Sequence, residues 1–259
     1  MRIDILTLIP GTFDRVFEES ILGAAKKAGT LDIRLHNFRE FSRDRHKTVD
    51  DAPFGGGPGM LIKPEPLVEA IRTIRKDGPP APVFGLTPQG IPLSQPLVKR
   101  FARFERLILV CGRYEGFDDR LLSEFDAEIS VGDYVLTGGE FAAMTIVDAV
   151  SRMIPGTVGR SESVQQDSFF TGPLDHPQYT RPAVWEHRGI PEVLRQGHHQ
   201  HIEDWRRGQA LLRTATRRPD VFSRLALTRD DGRHLQAVLR QSDGSTDSIT
   251  KKIQEGVHS

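Results

Sequence analysis

Along the first 155 residues, short continuous apolar runs alternate with amphipathic stretches. The run Arg2 to Ile9 (RIDILTLI) predicts a buried strand. A helix is expected to open at Gly11 or Thr12, run through Lys27 and close at Gly29. Leu31 to Phe38 alternates apolar with polar residues and predicts a second strand. Leu67, Ile71 and Ile74 share one face of a helix predicted over Pro64 to Lys76. Pro82 to Leu86 and Arg106 to Cys111 read as strands, separated by a helical stretch capped at Ser94 with Pro96 in its first turn. Beyond Gly112 the pattern predicts a short helix near Phe117 to Phe125, a strand over Ala127 to Val131, and a helix from about Gly139 to Met153 that Pro155 and Gly156 stop. Strands alternating with helices predict an α/β domain with a mainly parallel sheet.

Periodicity fails in two places. From Arg39 to Gly59 the chain is charged and then glycine-rich, and a loop of about twenty residues inside a compact domain is usually functional. Gly159 to Thr180 is polar and reads as a linker. From Arg181 onward strand-like alternation is absent, and helical patterns at Glu203 to Arg217 and Ala226 to Leu239 predict a small all-α C-terminal domain. The expected organisation is a ligand-binding α/β domain over 1–159, a flexible interdomain linker over 160–180 and a helical domain over 181–259. The tail after Gln241 is polar enough to fray.

Charge refines this division. The 259 residues carry 35 Lys and Arg against 35 Asp and Glu, which on its face argues against a nucleic-acid partner. The balance is an average: residues 1–159 hold 20 basic and 22 acidic side chains, residues 160–259 hold 15 and 13. Arg195, Arg206, Arg207, Arg213, Arg217 and Arg218 are opposed only by Glu203 and Asp204 in one window, with His198, His199 and His201 among them. Arg34, Arg39, Arg43, Arg45 and Lys47 form a second basic group in and before the long loop. Such patches suit phosphate backbone, and equally suit solvated protein surface. The single cysteine permits no internal disulfide, and no apolar run approaches the ~20 residues of a membrane span. A soluble, cytoplasmic protein is expected.

No glycine cluster has the Gly-Lys-Ser/Thr of a P-loop, and no G-x-G-x-x-G follows a strand and opens a helix. Three turn segments instead follow predicted strands: Leu86 to Gly90, Cys111 to Gly116 and Val131 to Glu140. Ligands of open α/β sheets bind outside the carboxyl ends of the strands, so neighbouring strands would bring these turns to one pocket. Cys111 has no nearby histidine to activate it and reads as a small buried hydrophobe. The histidines at 198, 199 and 201 lack the paired spacing of a zinc site.

The runs Gly55-Gly56-Gly57-Pro58-Gly59-Met60, Pro88-Gln89-Gly90, Leu109-Val110-Cys111-Gly112-Arg113-Tyr114-Glu115-Gly116, Gly132 to Glu140 (GDYVLTGGE), Asp167-Ser168-Phe169 and Tyr179-Thr180-Arg181-Pro182 together resemble the bacterial tRNA (guanine-N1)-methyltransferases, the TrmD family of the SPOUT class. The resemblance spans residues 1 to about 228. It implies a parallel α/β domain with a deep trefoil knot, which connection rules alone would argue against, and a helical tRNA-binding domain. It implies S-adenosyl-L-methionine as cofactor, held by Leu86, Thr87 and Pro88, by Gly112, Tyr114 and Glu115, and by Val131, Gly132, Asp133, Tyr134, Val135, Leu136, Gly138 and Gly139. It implies methylation of guanine N1 in tRNA, at the guanosine just 3′ of the anticodon, with Asp167 as general base and Arg152 stabilising O6. RNA contacts are expected from Gly57, Gly59, His199, Arg206, Arg207, Arg217 and Arg218. The family also implies a homodimer whose subunits share each active site, and assistance by Mg2+, although no carboxylate cluster marks a protein-held metal. Two alternatives stay open: a methyltransferase of the same fold acting on ribose 2′-OH or ribosomal RNA, and a non-catalytic RNA-binding module.

Overall fold

The computed structural model describes residues 1–158 and 167–241. The stretch 159–166 of the expected linker and the polar tail after Gln241 lie outside the described residues. The chain divides into two compact units, Met1–Ser161 and Glu162–Ser259.

The first unit is built on strands β1 (Arg2–Thr7), β2 (Asp32–Asn37), β5 (Val83–Pro92), β6 (Arg106–Cys111) and β7 (Ala127–Ser130), in the order β2-β1-β6-β5-β7, with every neighbouring pair parallel. A parallel sheet covered on both faces requires apolar residues on both sides of its central strands, which is why β1 and β6 read as continuous apolar runs. Leu107, Leu109 and Cys111 of β6 join Ile3, Ile5 and Phe84 on one face, with Phe13, Phe101 and Ile146. Ile108 and Val110 point the other way, with Leu6, Leu67, Ile71 and Leu121. Helices α1 (Ser20–Lys27), α2 (Pro64–Lys76), α3 (Gln95–Phe101) and α4 (Glu140–Ser151) cover the faces. A two-residue hairpin, β3 (Asp50–Asp51) with β4 (Leu61–Ile62), frames the glycine-rich loop.

Three expectations change. The predicted helix from Gly11 to Lys27 is a 3₁₀ turn at Pro10–Phe13 followed by the shorter α1. Ser20, the first residue of α1, takes a positive φ of 56°, and the chain folds so closely that a Cβ on Gly23 would overlap the Glu18 carbonyl. The loop from Arg39 is ordered by a local hub: Asp44 accepts hydrogen bonds from the Ser42 hydroxyl (3.0 Å) and from the His46 and Thr48 amides (2.8 and 3.0 Å). The strand expected to stop at Leu86 continues to Pro92. Leu86 and Ile91 both pair with Ile129, so the segment between them is a bulge inside β5 rather than a free turn.

The second unit carries α5 (His199–Arg217), the single turn α6 (Pro219–Phe222) and α7 (Arg229–Gln241). Trp205 and Leu211 of α5 and Leu235 and Val238 of α7 are buried, and a Cβ on Gly208 would fall 2.6 Å from the His234 carbonyl oxygen, so glycine sets the close approach of the two helices. The unit is not wholly helical as expected: Val184–Trp185 (β8) pairs antiparallel with Arg188–Gly189 (β9). Its two-residue turn places Glu186 and His187 at φ 46° and 63°, a conformation normally signalled by Asn-Gly and therefore invisible in this sequence. The described part of the segment expected to be a linker is tied to α5, since the Leu174 amide donates to the Thr214 hydroxyl (2.9 Å) and Arg213 donates to the Asp175 carbonyl (3.3 Å).

Candidate active site

Because β6, β5 and β7 are neighbours, the segments following their apolar runs meet at the carboxyl edge of the sheet. They enclose a cleft of about 420 Å³. Leu86, Thr87 and Pro88 form one wall, Gly112, Tyr114 and Glu115 a second, and Val131, Gly132, Tyr134, Val135, Leu136, Gly138 and Gly139 a third. Asp133, which the resemblance put in the same wall, is exposed and absent from the lining. Gln89, Arg113 and Thr137, which belong to the three turns but were given no role, also face the cleft, as do Asp119 and Glu128, which sequence reading missed.

Glycine is what lets the walls close on one another. The Gly139 amide donates to the Gly112 carbonyl (2.8 Å), and a Cβ on Gly139 would stand 2.7 Å from the Cys111 Cα. A Cβ on Gly112 would be 3.0 Å from the Leu86 carbonyl oxygen. At Gly112, Gly138 and Gly139 main chain is open to a ligand, and it can approach a flat base there without an intervening side chain. Tyr114, held at φ 58°, and Tyr134 and Val135 stand exposed around it.

The cleft leans acidic. Glu115, Asp119 and Glu128 line it, and burial together with the nearby Asp119 charge pushes the Glu128 carboxyl up from its ordinary value. Among the described residues Arg113 is the one Lys or Arg in the lining, and it faces the buried Glu140 at 3.5 Å. Cys111 lies fully buried beneath the second wall; desolvation raises its thiol well above the usual range, consistent with a hydrophobe rather than a nucleophile.

The glycine-rich loop is laced to the second wall. Glu115 donates its amide to the Met60 carbonyl (3.0 Å), Ile62 donates to Gly116 (2.9 Å), and a Cβ on Gly59 would run into the Glu115 side chain. Gly55, Gly56, Gly57 and Gly59 all hold positive φ, and Phe54 at the tip is wholly exposed. Gly57 and Gly59 are outside the cleft lining. Arg152 is the residue immediately after α4, partly buried and also outside the lining. Asp167 opens the described part of the second unit, its carbonyl accepting from the Phe170 amide (3.1 Å).

The arginines of the second unit divide into two groups. Arg207 reaches Asp231 at 2.6 Å; Asp231 is 5% exposed and held at about 2 by that bond, by Thr228 and by the Arg207 charge against the opposing effect of burial. Arg218 pairs with Asp220 at 2.7 Å and lies 5.6 Å over the Phe169 ring, and Arg206 pairs with Glu203 at 2.7 Å. Arg217 and His199, at the two ends of α5, are exposed. Among the described residues no three His, Cys, Asp or Glu side chains come together to hold a metal, and no helix is long and apolar enough to cross a membrane.

A parallel α/β domain with a cleft at the carboxyl edge of its sheet is a common setting for a small-ligand site. Comparison with known proteins makes the class specific. The tRNA (Guanine-1)-methyltransferase TrmD family matches residues 1–224. The chain is 49% identical over 245 residues to a tRNA (guanine-N(1)-)-methyltransferase of Dehalococcoides mccartyi, covering 94% of this chain and 99% of the relative. It is 51% identical over 243 residues to the enzyme of that name from Magnetococcus marinus (92% and 96% covered), and 52% identical over 228 residues to that of Chloroflexus aggregans (87% and 89% covered). The chain belongs to the TrmD family.

Proposed function

We propose that the protein methylates guanine N1 of tRNA at the guanosine immediately 3′ of the anticodon, using S-adenosyl-L-methionine bound in the cleft, on a SPOUT-type knotted domain. The observation that carries the reading is the convergence of three glycine-bearing segments on one cleft in a chain of this family. Its volume falls in the range of small-ligand sites, about 300–1,000 Å³. Main chain at Leu86, Gly112 and Gly139 would receive the purine, and the acidic lining of Glu115, Asp119 and Glu128 suits a ligand carrying a sulfonium and an ammonium.

Bound S-adenosyl-L-methionine supplies a methyl group already activated on sulfur, with a neutral leaving group. The protein's task lies with the acceptor. Guanine N1 carries a proton and a delocalised lone pair, so a base must take the proton and a cation must hold charge developing on O6. Asp167 is the proposed base and Arg152 the proposed cation. Because the two belong to different units, assembly on tRNA binding, with Asp167 serving the partner subunit's cleft in a homodimer, gives an induced-fit checkpoint. The exposed apolar residues Ile9, Val16, Ile21 and Phe141 of the first unit support such an association. The anticodon loop presents unpaired bases that can be splayed out and read on their Watson–Crick edge. Glu115 and the Gly55–Gly59 loop are the proposed contacts to that base and to the methionine end of the cofactor, with the exposed ends of α5 bearing on the phosphates. No step is assigned to Mg2+.

The test is transfer of a labelled methyl group to unmodified tRNA, followed by nucleoside mapping. The expected product is 1-methylguanosine just 3′ of the anticodon. Label on a ribose 2′-OH selects the alternative chemistry, and absence of transfer retires the enzymatic reading.

A further inference from the structure

Glu140, the first residue of α4, is 3% exposed, and a carboxylate so buried persists only where its charge is met. Three features meet it. The hydroxyl of the fully buried Thr7, at the end of β1, donates to Oε1 at 2.8 Å while accepting the Ile9 amide at 3.0 Å. The Arg113 guanidinium lies 3.5 Å from Oε2. The helix N-terminus itself favours negative charge. The pair also needs a glycine beside it: a Cβ on Gly138 would overlap Glu140 Oε2 and stand 3.2 and 3.3 Å from Arg113 Nη1 and Cγ.

This buried assembly orients a residue that faces the ligand. A guanidinium offers five N–H donors in a planar fork, and the long contact to Glu140 occupies one of them. Arg113 also stands among Glu115, Asp119 and Glu128, a setting in which a cation brings local charge balance and gives one anionic group of a ligand a place to go. S-adenosyl-L-methionine has one anionic group, the carboxylate of its amino-acid end.

We infer that Arg113 binds the carboxylate of the cofactor, and that Glu140 and Thr7 are positioning residues that hold the guanidinium at the cleft wall. The inference rests on the reading that the cleft takes S-adenosyl-L-methionine. It adds, beside Glu115 and the Gly55–Gly59 loop, a specific partner for the carboxylate of the amino-acid end.

The test compares two ligands that differ only in this group, S-adenosyl-L-methionine and its decarboxylated form, by calorimetric titration without tRNA. The wild-type protein is expected to prefer the carboxylated ligand by roughly 10- to 100-fold, the range of a charge-assisted pair. Arg113→Gln is expected to abolish the preference by weakening only the carboxylated ligand. Arg113→Lys should retain part of it, and Glu140→Gln should narrow it while the decarboxylated ligand binds as before. A preference that survives Arg113→Gln overturns the inference. So does an equal weakening of both ligands in Glu140→Gln, which would mark a purely structural role, and so does loss of tRNA affinity with both ligands unaffected. A wild-type protein that binds neither ligand overturns the underlying assignment of the cleft, an outcome distinct from wild-type binding without preference.

Discussion

In the first unit the candidate site is set by glycines, which let segments that follow three strands touch, with charged side chains added along the walls. In the second unit the candidate RNA surface is made of side-chain charge, and much of that charge is already engaged within the protein. Arg207, Arg206 and Arg218 bond to Asp231, Glu203 and Asp220, leaving the exposed ends of α5 as the stronger contact points. The comparison separates two ways of reading function from a chain. Glycines placed after strands mark a ligand cleft through geometry, whereas a count of arginines marks phosphate binding only after intramolecular partners have been subtracted.

The largest expected effect divides the units by chemistry. Asp167→Ala is expected to reduce single-turnover methyl transfer by about 10²- to 10⁴-fold, the worth of a general base, with cofactor affinity unchanged. Unchanged turnover would remove Asp167 from the mechanism.

Stability gives the next contrast. At the amino end of the sheet, Asp4 is fully buried and bonded to Arg106 (2.8 Å), Arg2 (2.8 Å) and His36 (2.7 Å), and Arg106 is itself fully buried. Burial alone would raise the Asp4 carboxyl, but bonds from His36, Arg2 and Arg106 outweigh it and hold it at about 2. Asp4→Asn leaves Arg106 buried without its counter-charge, and a loss of roughly 3–5 kcal/mol is expected in denaturant unfolding. Since the folded value lies below the unfolded 3.8, this contribution is complete above about pH 4 and disappears as pH falls towards 2. Wild-type stability should therefore fall across that interval more steeply than that of Asp4→Asn.

Smaller effects separate the two kinds of arginine. Arg207→Ala is expected to cost roughly 1 kcal/mol of stability by leaving the buried Asp231 short of a partner, a figure reduced for the partial exposure and screening of Arg207. Arg217→Ala is expected to leave the melting temperature in place and lower the slope of log tRNA affinity against log salt by about 0.7. If Arg207→Ala changes only the salt slope, or Arg217→Ala only the stability, the division of the patch is wrong.

The elements most legible in the sequence were those whose own residues decide them. β6 is apolar on both faces because both faces are covered, and α2 shows its buried stripe at helical spacing. The cleft was legible in outline, since three glycine turns each follow a predicted strand and neighbouring parallel strands bring such turns together. What escaped was decided by distant partners. Nothing local reveals that Glu140 meets Thr7 across 133 positions, or that Asp133 turns outward between residues that line the cleft. The β5 bulge depends on β7, and the β8–β9 hairpin turns through Glu186 and His187, which carry no turn signal. The arginine cluster is less uncompensated in the structure than along the chain, because Asp220 and Asp231, both past Arg218 in sequence, pair with Arg218 and Arg207.

The division of labour between the units is tested most directly by titrating S-adenosyl-L-methionine into two variants, one from each unit, with folding verified by circular dichroism. Gly139→Ala adds a Cβ 2.7 Å from the Cys111 Cα and 2.8 Å from the Gly112 nitrogen, at a backbone conformation alanine tolerates, so the main chain of the second wall must shift to take it. The expected result is loss of binding in Gly139→Ala and wild-type affinity in Asp167→Ala. Retained binding in the first, or lost binding in the second, would contradict the account.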